Sequence, residues 1–458
     1  MAGTSRSGAG CSRAAAAAVL VASHSFVAAP EGRPAVAPDL RGTVQSFVDQ
    51  EYPSLRELYT HLHAHPELSF GEEQTAATVA AELRKLDFKV TTQVGGHGVV
   101  GVLSNGEGPT VLVRTDLDAL PVKEETGLPY ASTVRATDDQ GREVDVMHAC
   151  GHDVHMTVFV GTARLLSRSR ASWQGTLVMI GQPAEERGAG ARAMLADGLF
   201  TRFPKPDYAL ALHVKPDLPA GSVGTIEGYA LANVDSVDIT VRGVGGHGAW
   251  PHKTKDPIVL AAETILALQT IVSREIAPGE PAVVTVGSIQ GGTKHNIIPD
   301  EVKLQLTLRS YTDDVRRQTI AAIERITRGL ALSAGIPEDR LPTVTIQDEA
   351  TPATFNDLAL TRRLAGALQS WKDEGTVVPV KPVMGGEDFS EFGRTPDEVP
   401  ICLLWLGATD PAVLEAALSA GKALPSLHSS QFAPLPEPTI KTGIVAMTAA
   451  VLELLPPR

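Results

Sequence analysis

The chain has 458 residues, enough for about three domains of ordinary size and for a large buried core. Its 40 Lys and Arg residues against 53 Asp and Glu residues give a formal net charge of −13, and no basic run interrupts this acidic balance, so nucleic acid is not expected as a partner. With 43% hydrophobic and 20% charged residues, the composition is that of a globular protein, which excludes a disordered or fibrous one.

The first 30 residues have the features of a leader. Arg6 and Arg13 precede an apolar run over residues 14–21. This order predicts a signal peptide over residues 1–30, and therefore export to the periplasm or out of the cell. The run is too short for an integral membrane span. The alternative is a disordered, alanine-rich leader on a cytoplasmic protein, and Pro30 leaves the cleavage site undecided.

The segment after the leader alternates between helical and strand patterns. Residues 44–86 are helical with a break at Pro66, and three short apolar runs follow at residues 110–113, 177–180 and 208–212. Turns that contain Gly, Pro or Asp follow these runs, which predicts an α/β domain with a mostly parallel sheet. Ligands of such domains collect beyond the carboxyl ends of the strands. The three runs end beside these side chains: Asp116 and Asp118, Glu185 and Glu186, and His213.

From about residue 233 the pattern changes to that of a smaller unit. Strand, helix, strand, strand, helix and strand are predicted in turn, at residues 237–241, 257–271, 282–289, 302–308, 315–332 and 343–346. The order β-α-β-β-α-β is typical of a small α+β sandwich. A helix at 358–369 and a buried strand at 401–406 then resume the first pattern. The predicted fold is a two-domain α/β protein, in which an inserted domain of residues 232–347 divides a larger domain into residues 44–231 and 348–458.

The sequence Met-His-Ala-Cys-Gly-His-Asp contains the strongest local signal for a metal site. Cys150 and His152 stand two residues apart at the start of a predicted helix, so a thiolate and an imidazole can face one cation. Gly151 permits a tight turn between them, and Asp153 is predicted to accept the ring N–H of His152 and fix its tautomer. The alternative is an ordinary helix N-terminus with incidental Cys and His. His155, one turn further, is expected to pack beneath the site.

Two adjacent carboxylates, Glu185 and Glu186, follow the second apolar run. Solvation explains most such pairs, but here an apolar strand enters directly and glycines follow. Adjacent side chains point in different directions, so one carboxylate can bind a metal while the other moves a proton. His213 follows the third run, where a hydrogen-bonded core histidine is the alternative to a metal ligand.

Three of these segments and four others resemble, in order, a known group of hydrolases. The group is the dinuclear metallopeptidase and aminoacylase clan, and within it the amidohydrolase branch that contains hippurate hydrolase and the plant auxin–amino acid conjugate hydrolases. The resemblance covers nearly all of the chain after residue 44. Its motifs are HAHPELSF at residues 63–70, RTDLDALP at 114–121, MHACGHD at 147–153, QPAEE at 182–186, GGHGAWPH at 245–252, NIIPD at 296–300 and GGEDF at 385–389.

The resemblance implies a catalytic domain that binds two divalent ions per subunit and an inserted lid domain that also serves in dimerisation. Glu185 becomes the general base. Most of the clan has a His-x-Asp motif after the first strand, whereas here Arg114 occupies the His position, so Asp116 is expected to support the ligands rather than bind metal. The ligands that the resemblance implies are Cys150, His152, Glu186, His213 and, near the C-terminus, His428.

The resemblance also implies a mechanism. Two cations lower the pKa of a shared water and polarise the scissile carbonyl, while Glu185 takes the proton of the water and delivers it to the departing amine. His247, on the lid between glycines, is expected to stabilise the oxyanion, from the partner subunit in a dimer. Asn296 and Arg309 are candidates for binding the substrate carboxylate, with an exposed strand residue as the alternative for Arg309. Trp250 departs from the small residues common at this place, which makes it a candidate for reshaping the pocket or the lid hinge.

The sequence therefore predicts a metal-dependent amidohydrolase that cleaves N-acyl or N-aroyl amino acids to a carboxylic acid and a free amino acid. Two alternatives stay open: a metallo-exopeptidase or dipeptidase on the same scaffold, and a non-catalytic protein that binds metal or ligand. The ions are expected to be zinc, manganese, cobalt or nickel. The expected partners are a small N-acyl amino acid or peptide and a second copy of the chain, with neither nucleic acid nor an integral membrane span.

Overall fold

The structure is a computed structural model that describes residues 38–348, 350–371 and 373–457. The predicted signal peptide, residues 1–30, lies outside the described residues. The strands are β1 (Lys89–Thr92), β2 (Val99–Asn105), β3 (Thr110–Asp116), β4 (Arg135–Thr137), β5 (Glu143–Asp145), β6 (Gly175–Gln182), β7 (Tyr208–Pro219), β8 (Val223–Thr225), β9 (Gly228–Leu231), β10 (Asn233–Arg242), β11 (Gly246–His247), β12 (Ala282–Gly291), β13 (Ile297–Ile298), β14 (Glu301–Ser310), β15 (Thr343–Ile346), β16 (Thr354–Asn356), β17 (Val377–Pro379) and β18 (Ile401–Thr409). The helices are α1 (Pro38–Ala64), α2 (Glu73–Arg84), α3 (His152–Arg168), α4 (Gly190–Ala196), α5 (Leu199–Arg202), α6 (Pro257–Thr270), α7 (Asp313–Ser333), α8 (Leu358–Trp371), α9 (Pro411–Ala420) and α10 (Pro436–Leu454).

The larger sheet has eight strands in the order β1-β2-β6-β3-β7-β18-β8-β17. The four strands at its centre, β6, β3, β7 and β18, run parallel. Helix α3 connects β3 to β6, and α4 and α5 connect β6 to β7, as parallel neighbours require. Antiparallel pairs occur between β1 and β2, β2 and β6, and β18 and β8. The predicted α/β class with a mostly parallel sheet is confirmed.

Both faces of this sheet are buried, which explains the continuous apolar runs of its strands. Val111 and Val113 of β3 belong to a core that includes residues of α1, α3 and α10. Leu112, between them, belongs to the core of the opposite face, with Met194 of α4 and Phe389. The sequence analysis did not predict α10, because most of its residues are buried and its sequence lacks the apolar and polar alternation of a surface helix.

A second sheet is antiparallel and has four strands in the order β12-β14-β10-β15. Along β10 every second residue is buried, so one face of this sheet packs on helices while the other faces outward. The helices on the packed face are α6 and α7, which share one core with the sheet. Both begin at side-chain caps, since Asp256 accepts from the N–H of Ile258 and Thr312 accepts from the N–H of Val315.

Helix α6 is apolar on both sides. Among the described residues, one helical segment, Pro257–Glu275, has the length and composition to cross a membrane, with a mean hydropathy of 1.3 and 33% of it buried. One such helix is weak grounds for a membrane span, because core helices pass the same test. The side that faces away from the sheet exposes large apolar residues, among them Ile258, Val259 and Leu266.

Strand β7 is longer than its apolar run predicts. It continues through His213 to Pro219, because β18 runs parallel beside it and pairs with it as far as Pro219. His213 therefore lies within the strand, opposite Trp405, and not in the turn that the sequence suggests.

Candidate metal centre

The candidate site lies at the carboxyl ends of the central parallel strands, where ligands of such sheets bind. β3 ends at Asp116 and β6 ends at Gln182, and these two residues are paired across the sheet. The segment with Glu185 and Glu186 follows β6 directly, and His213 comes from the adjacent β7. Residues that are about a hundred positions apart in the chain thus meet at one edge.

The cysteine and histidine of the central motif stand at the start of α3. Helix α3 begins at His152, and Gly151 before it has a φ of 80°, in the left-handed region. A Cβ atom at position 151 would lie 2.6 Å from a methyl carbon of Val214. Only glycine fits both the backbone conformation and this close approach, which turns Cys150 and His152 towards the same space.

Five candidate ligands lie together. The donor atoms of Cys150, His152 and His213 form one group and those of Cys150, Glu186 and His428 form another, and within each group they lie within 4.8 Å of one another. The Sγ of Cys150 is 3.5 Å from Nε2 of His213, and Nε2 of His428 is 3.5 Å from Oε2 of Glu186. Cys150 belongs to both groups, so they adjoin through its sulfur. Thiolate, imidazole and carboxylate are donors that divalent transition metals accept.

In His152 and His213, one ring nitrogen donates a hydrogen bond to the backbone and the other is left for a metal ion. Nδ1 of His152 donates to the carbonyl of Asp118 at 2.8 Å, and Nδ1 of His213 donates to the carbonyl of Val214 at 2.8 Å. Each Nε2 therefore presents a lone pair. Among the described residues, Nε2 of His152 and Oε1 of Glu186 are buried without a hydrogen-bond partner. Such atoms are costly to bury, and a cation bound at each of the two groups would satisfy them, so the residues present fit bound metal ions.

Glu185 lies beside this cluster. Its Oε2 is 3.9 Å from Nε2 of His152, and the residue is 9% exposed. Burial raises the pKa of Glu185, and the carboxylates of Glu387 and Glu186 raise it further. A raised pKa moves a carboxyl group towards the range in which it can both take up and return a proton.

A carboxylate that the sequence analysis did not identify holds the segment before Glu185. Oε1 of Glu72 accepts hydrogen bonds from the N–H groups of both Ala184 and Phe70, each at 2.8 Å. Ala184 has a φ of 50° and Phe70 a φ of 63°, conformations that cost an L residue about 1 kcal/mol or more. Glu72 is buried and its neighbour Glu73 is exposed, and nothing in the sequence distinguishes these two glutamates.

Asp118 accepts hydrogen bonds from three parts of the site. Its Oδ2 accepts from Oγ of Ser69 at 2.7 Å and from the N–H of Glu186 at 3.0 Å. Its carbonyl is the acceptor for His152. The second aspartate after β3 therefore holds a histidine and a glutamate of the cluster in place.

The prediction that Asp153 orients His152 is wrong. Oδ2 of Asp153 accepts from Nδ1 of His63 at 2.6 Å, and the other ring nitrogen of His63 lies 3.0 Å from Oε1 of Glu124. Consecutive residues of α3 leave the helix in different directions, so Asp153 faces α1 while His152 faces the cluster. Burial lowers the pKa of His63, but its bonds to Asp153 and Glu124 outweigh burial and raise it to about 10. Sequence reasoning assigned no role to this histidine.

Asp116 contacts the protein through both carboxylate oxygens. Its Oδ1 accepts from Nδ1 of His155 at 2.8 Å, and its Oδ2 accepts from Nη1 of Arg114 at 2.7 Å. Nε2 of His155 accepts from the N–H of Val214. Both nitrogens of His155 are thus engaged, and its ring packs against that of His213 with centroids 4.6 Å apart.

Arg114 is buried among carboxylates. Its Nη2 lies 2.8 Å from Oε1 of Glu387 and 3.3 Å from Oδ1 of Asp388, and its Nε donates to Gln182. Glu387 and Asp388 belong to the GGEDF motif, to which the sequence analysis gave no chemical role. One guanidinium offsets part of the negative charge that surrounds Glu185.

A cavity of about 570 Å³ opens beside the cluster. Val234, Ser236 and Arg309 line it from the four-stranded sheet. Arg309 is half-buried, and its Nε donates to Oγ1 of Thr307 at 3.1 Å. A guanidinium from the four-stranded sheet therefore lines the same cavity as the cluster residues.

Two candidate site residues lie outside this cavity. His247 of β11 and Asn296 next to β13 are exposed, and neither lines the cavity. Nδ1 of His247 accepts from the N–H of Ala249, and its ring lies 4.9 Å from that of Trp250, which is 54% exposed. The structure of one chain does not bring His247 or Asn296 to the cluster.

Comparison with known proteins places the chain among hydrolases. The model of peptidase family M20/M25/M40 matches residues 112–420. The chain is 36% identical to N-acetyl-L-cysteine deacetylase of Bacillus subtilis (strain 168) over 337 residues. The aligned residues make up 72% of this chain and 76% of that protein. It is 35% identical to thermostable carboxypeptidase 1 of Saccharolobus solfataricus over 389 residues, which are 84% of this chain and 91% of that protein. A solved Bacillus subtilis structure, described as a dinuclear metal binding peptidase from the M20 family, matches with a TM-score of 0.70 and 28% identity, over 90% of this chain and all of that one.

Proposed function

The chain belongs to the M20/M25/M40 peptidase family, and from this membership and the geometry of its site we propose that it is a metal-dependent amidohydrolase of N-acyl or N-aroyl amino acids. Its products are a carboxylic acid and a free amino acid. One observation carries the proposal: five metal donors, of which Cys150, His152 and His213 are buried, stand beside an acidic residue suited to proton transfer. The set consists of Cys150, His152, His213, Glu186 and His428, with Glu185 beside it.

Two divalent ions per subunit are the proposed cofactors. Cys150, His152 and His213 would hold one, and Cys150, Glu186 and His428 would hold the other. The unpartnered atoms of His152 and Glu186 and the dinuclear relative support this assignment. When bound, such ions lower the pKa of a water and polarise an amide carbonyl. The thiolate and imidazoles suit zinc, and manganese, cobalt and nickel are the other candidates.

Glu185 is the proposed general base. It takes a proton from the attacking water and delivers it to the nitrogen of the departing amine. Its burial and its place 3.9 Å from His152 support this role. The backbone before it is held by Glu72 through Ala184, so its carboxylate needs little reorganisation before the reaction.

Arg309 is the proposed partner of the substrate carboxylate. The cavity that it lines has room for an amino acid, and the guanidinium is partly withdrawn from water, which strengthens its attraction for an anion. This contact would orient the amide so that its carbonyl faces the metal donors.

We also propose a homodimer formed through the lid, the unit of β10, β12, β14, β15, α6 and α7. A second copy would cover the exposed apolar side of α6, where Leu266 is 72% exposed, and pair with the free edge of β12. It would also explain why His247 and Asn296 lie far from the cluster of their own chain. In this arrangement His247 of the partner subunit stabilises the oxyanion, and the partner's Asn296 helps to bind the substrate carboxylate.

Complementation tests the dimer. Variants His247→Ala and Glu185→Gln are each expected to be inactive as homodimers. Co-expressed with different tags, they form mixed dimers in which one site has an intact Glu185 and an intact His247. Half of randomly paired dimers are mixed, so about one quarter of the wild-type activity should return. A monomer in analytical ultracentrifugation, or no recovery in purified mixed dimers, contradicts the proposal.

An exopeptidase is the second candidate, because the chain is 35% identical to a carboxypeptidase over most of its length. The two functions differ in the group on the acyl side of the scissile amide. Peptides with free amino termini should outcompete N-acylated amino acids if the protein is an exopeptidase.

The deciding experiment is a substrate panel. Purified protein is assayed with N-acetyl, N-benzoyl and indole-acyl amino acids and with dipeptides, before and after chelation, and after addition of zinc, manganese, cobalt or nickel. We expect chelator-sensitive release from the N-acyl series, restored by at least one of the metals. Bound metal with no release from any compound would instead favour a binding protein without this activity.

We further propose that residues 1–30 direct export. N-terminal sequencing of the chain expressed in full in a bacterium, together with its distribution between periplasm and cytoplasm, tests this. A shortened N-terminus in the periplasmic fraction is expected, and an intact N-terminus confined to the cytoplasm would contradict export.

A further inference from the structure

A second cavity, of about 720 Å³, adjoins the metal-binding cluster. Its walls come from residues 66–71, residues 119–121 and the hairpin of β4 and β5. Glu186 and Arg187 line this cavity and also the cavity that Arg309 faces. The two cavities therefore share a wall at the segment that carries a candidate metal ligand.

The second cavity has apolar walls. Leu68, Phe70, Leu120 and Val134 line it, and we call it the Phe70 cavity. Phe70 is 42% exposed although it is a large aromatic residue, and its φ is 63°. Strained and exposed apolar residues beside a reactive site are typical of contacts with a ligand.

Apart from Glu186, a candidate metal ligand, the charged groups of the Phe70 cavity are paired with a neighbouring charge or with the backbone. Asp138 binds Arg142 at 2.7 Å, and Asp139 binds Arg187 at 3.0 Å. The two oxygens of Glu67 accept from backbone N–H groups at the start of α2. With Glu186 bound to a metal ion, as proposed above, these pairings leave no unpaired charged group in the walls, which favours a neutral, apolar group over an anionic or cationic one.

The planarity of the amide decides which half of the substrate reaches this cavity. A secondary amide is planar and trans, so its two carbon substituents leave the scissile bond in opposite directions. In the proposed function, Arg309 binds the carboxylate of the amino-acid half in the cavity of about 570 Å³. The acyl half then points away from Arg309, and the Phe70 cavity, which shares Glu186 with the first cavity, is the neighbouring space that can receive it.

We propose that the Phe70 cavity binds the acyl group of the substrate and selects large, neutral acyl groups such as benzoyl over acetyl, an inference that rests on the proposed amidohydrolase function. Phe70 is the specificity-determining residue. Glu72 holds the backbone of Phe70 and that of Ala184 with the same oxygen, so the wall of the cavity and the segment before Glu185 are positioned together.

Matched substrates test the proposal. The holoenzyme and its Phe70→Ala variant are assayed with the N-benzoyl and N-acetyl derivatives of one amino acid. We expect kcat/KM for the N-benzoyl substrate to fall about tenfold, because an aromatic contact is lost, while kcat/KM for the N-acetyl substrate changes less than about twofold. Phe355→Ala is the control, since Phe355 is also 42% exposed but lines a different cavity.

A second variant distinguishes loss of the acyl site from misfolding of Phe70→Ala. Val134→Trp fills the Phe70 cavity and should likewise lower the ratio of N-benzoyl to N-acetyl hydrolysis, whereas Phe355→Ala should leave this ratio unchanged. An unchanged ratio in both cavity variants, with both substrates hydrolysed by the wild type, overturns the acyl site and leaves the proposed function standing. Hydrolysis of neither substrate by the wild type rejects the proposed function itself. A wild-type preference for dipeptides with a free amine over N-benzoyl substrates contradicts the proposal that the Phe70 cavity selects neutral, apolar acyl groups.

Discussion

Replacement of Glu72 by leucine should destabilise the protein and slow it at the same time, because one carboxylate oxygen holds two parts of the site. In the structure this oxygen accepts from the N–H groups of Ala184 and Phe70 at 2.8 Å each. Leucine has a similar volume but no acceptor. Ala184 is buried, and its N–H loses the Glu72 carboxylate as hydrogen-bond acceptor at a cost of about 1–3 kcal/mol. Phe70 is partly exposed, so the loss at its N–H costs about 0.5–1.5 kcal/mol. The sum is about 1.5–4.5 kcal/mol relative to Glu72→Gln, which also removes the buried charge but keeps the acceptor.

The effect on catalysis follows from the position of Ala184. With its hydrogen bond gone, Ala184 is free to leave the left-handed conformation, and the carboxylate of Glu185 moves with it. A displacement of about 1 Å at a catalytic group can cost a hundredfold in rate. We therefore expect kcat of Glu72→Leu to fall about 10- to 100-fold.

Glu72→Gln is the matched control, because its amide oxygen can accept from the same two N–H groups. Burial, with the nearby Asp118, raises the pKa of Glu72 to about 7 from 4.5. The cost of the buried charge is thus absent below about pH 4.5 and complete above about pH 7, so Glu72→Gln should be at least as stable as the wild type in mildly alkaline buffer. Urea unfolding of the chelated proteins, followed by circular dichroism, measures stability, and kcat of the metal-loaded proteins measures activity. Equal stability and equal kcat of Glu72→Leu and Glu72→Gln would refute the reasoning.

Three further perturbations address other parts of the site. Glu185→Gln should lower kcat by about a thousandfold with unchanged metal content by mass spectrometry, since the general base is lost, and near-wild-type turnover would exclude Glu185 from this role. Arg309→Met should raise KM for N-acyl amino acids about 10- to 100-fold with little change in kcat, and it should leave KM for the corresponding amides unchanged, which a merely structural role of Arg309 would not do. His63→Gln removes a buried cation whose pKa is raised to about 10, despite burial, by Asp153 and Glu124. Its stabilisation, a few kcal/mol, is complete below about pH 6.5 and lost as the pH rises through about 10, so the stability gap in urea unfolding between wild type and variant should close over this range, and a pH-independent gap would contradict the assignment.

The fold class could be predicted because burial on both faces leaves a direct mark on the sequence. Strands such as β3 and β6 are continuously apolar and are followed by turn residues, while β10 alternates with a period of two. The same logic fails where burial removes the pattern, as in α10, which is apolar on nearly all sides. It also fails where a neighbouring strand extends pairing beyond the apolar run, as β18 does for β7.

Some residues of the site could likewise be predicted from the sequence, and others could not. Cys150 and His152 could be identified because a tight turn between two donors is a local pattern, and Glu185 and Glu186 because charge at the end of a buried strand is unusual. Asp153 was assigned to the wrong histidine, since the neighbour in sequence is not the neighbour across the helix. Its actual partner, His63, comes from α1, and only the packing of α1 against α3 brings them together.

The sequence by itself determined the fold class, the family resemblance and the residue types available for metal binding and proton transfer, since periodicity and short motifs are local properties of a chain. Only the tertiary structure decided which oxygens and nitrogens are engaged and which are left without a partner. It joined Glu72 to the backbone of Ala184 and surrounded Arg114 with three carboxylates. It also formed two cavities that share Glu186 as a lining residue, and it left His247 outside the cluster of its own chain. These relations join residues far apart in the chain, and their energies depend on distance and burial, which a linear sequence does not contain.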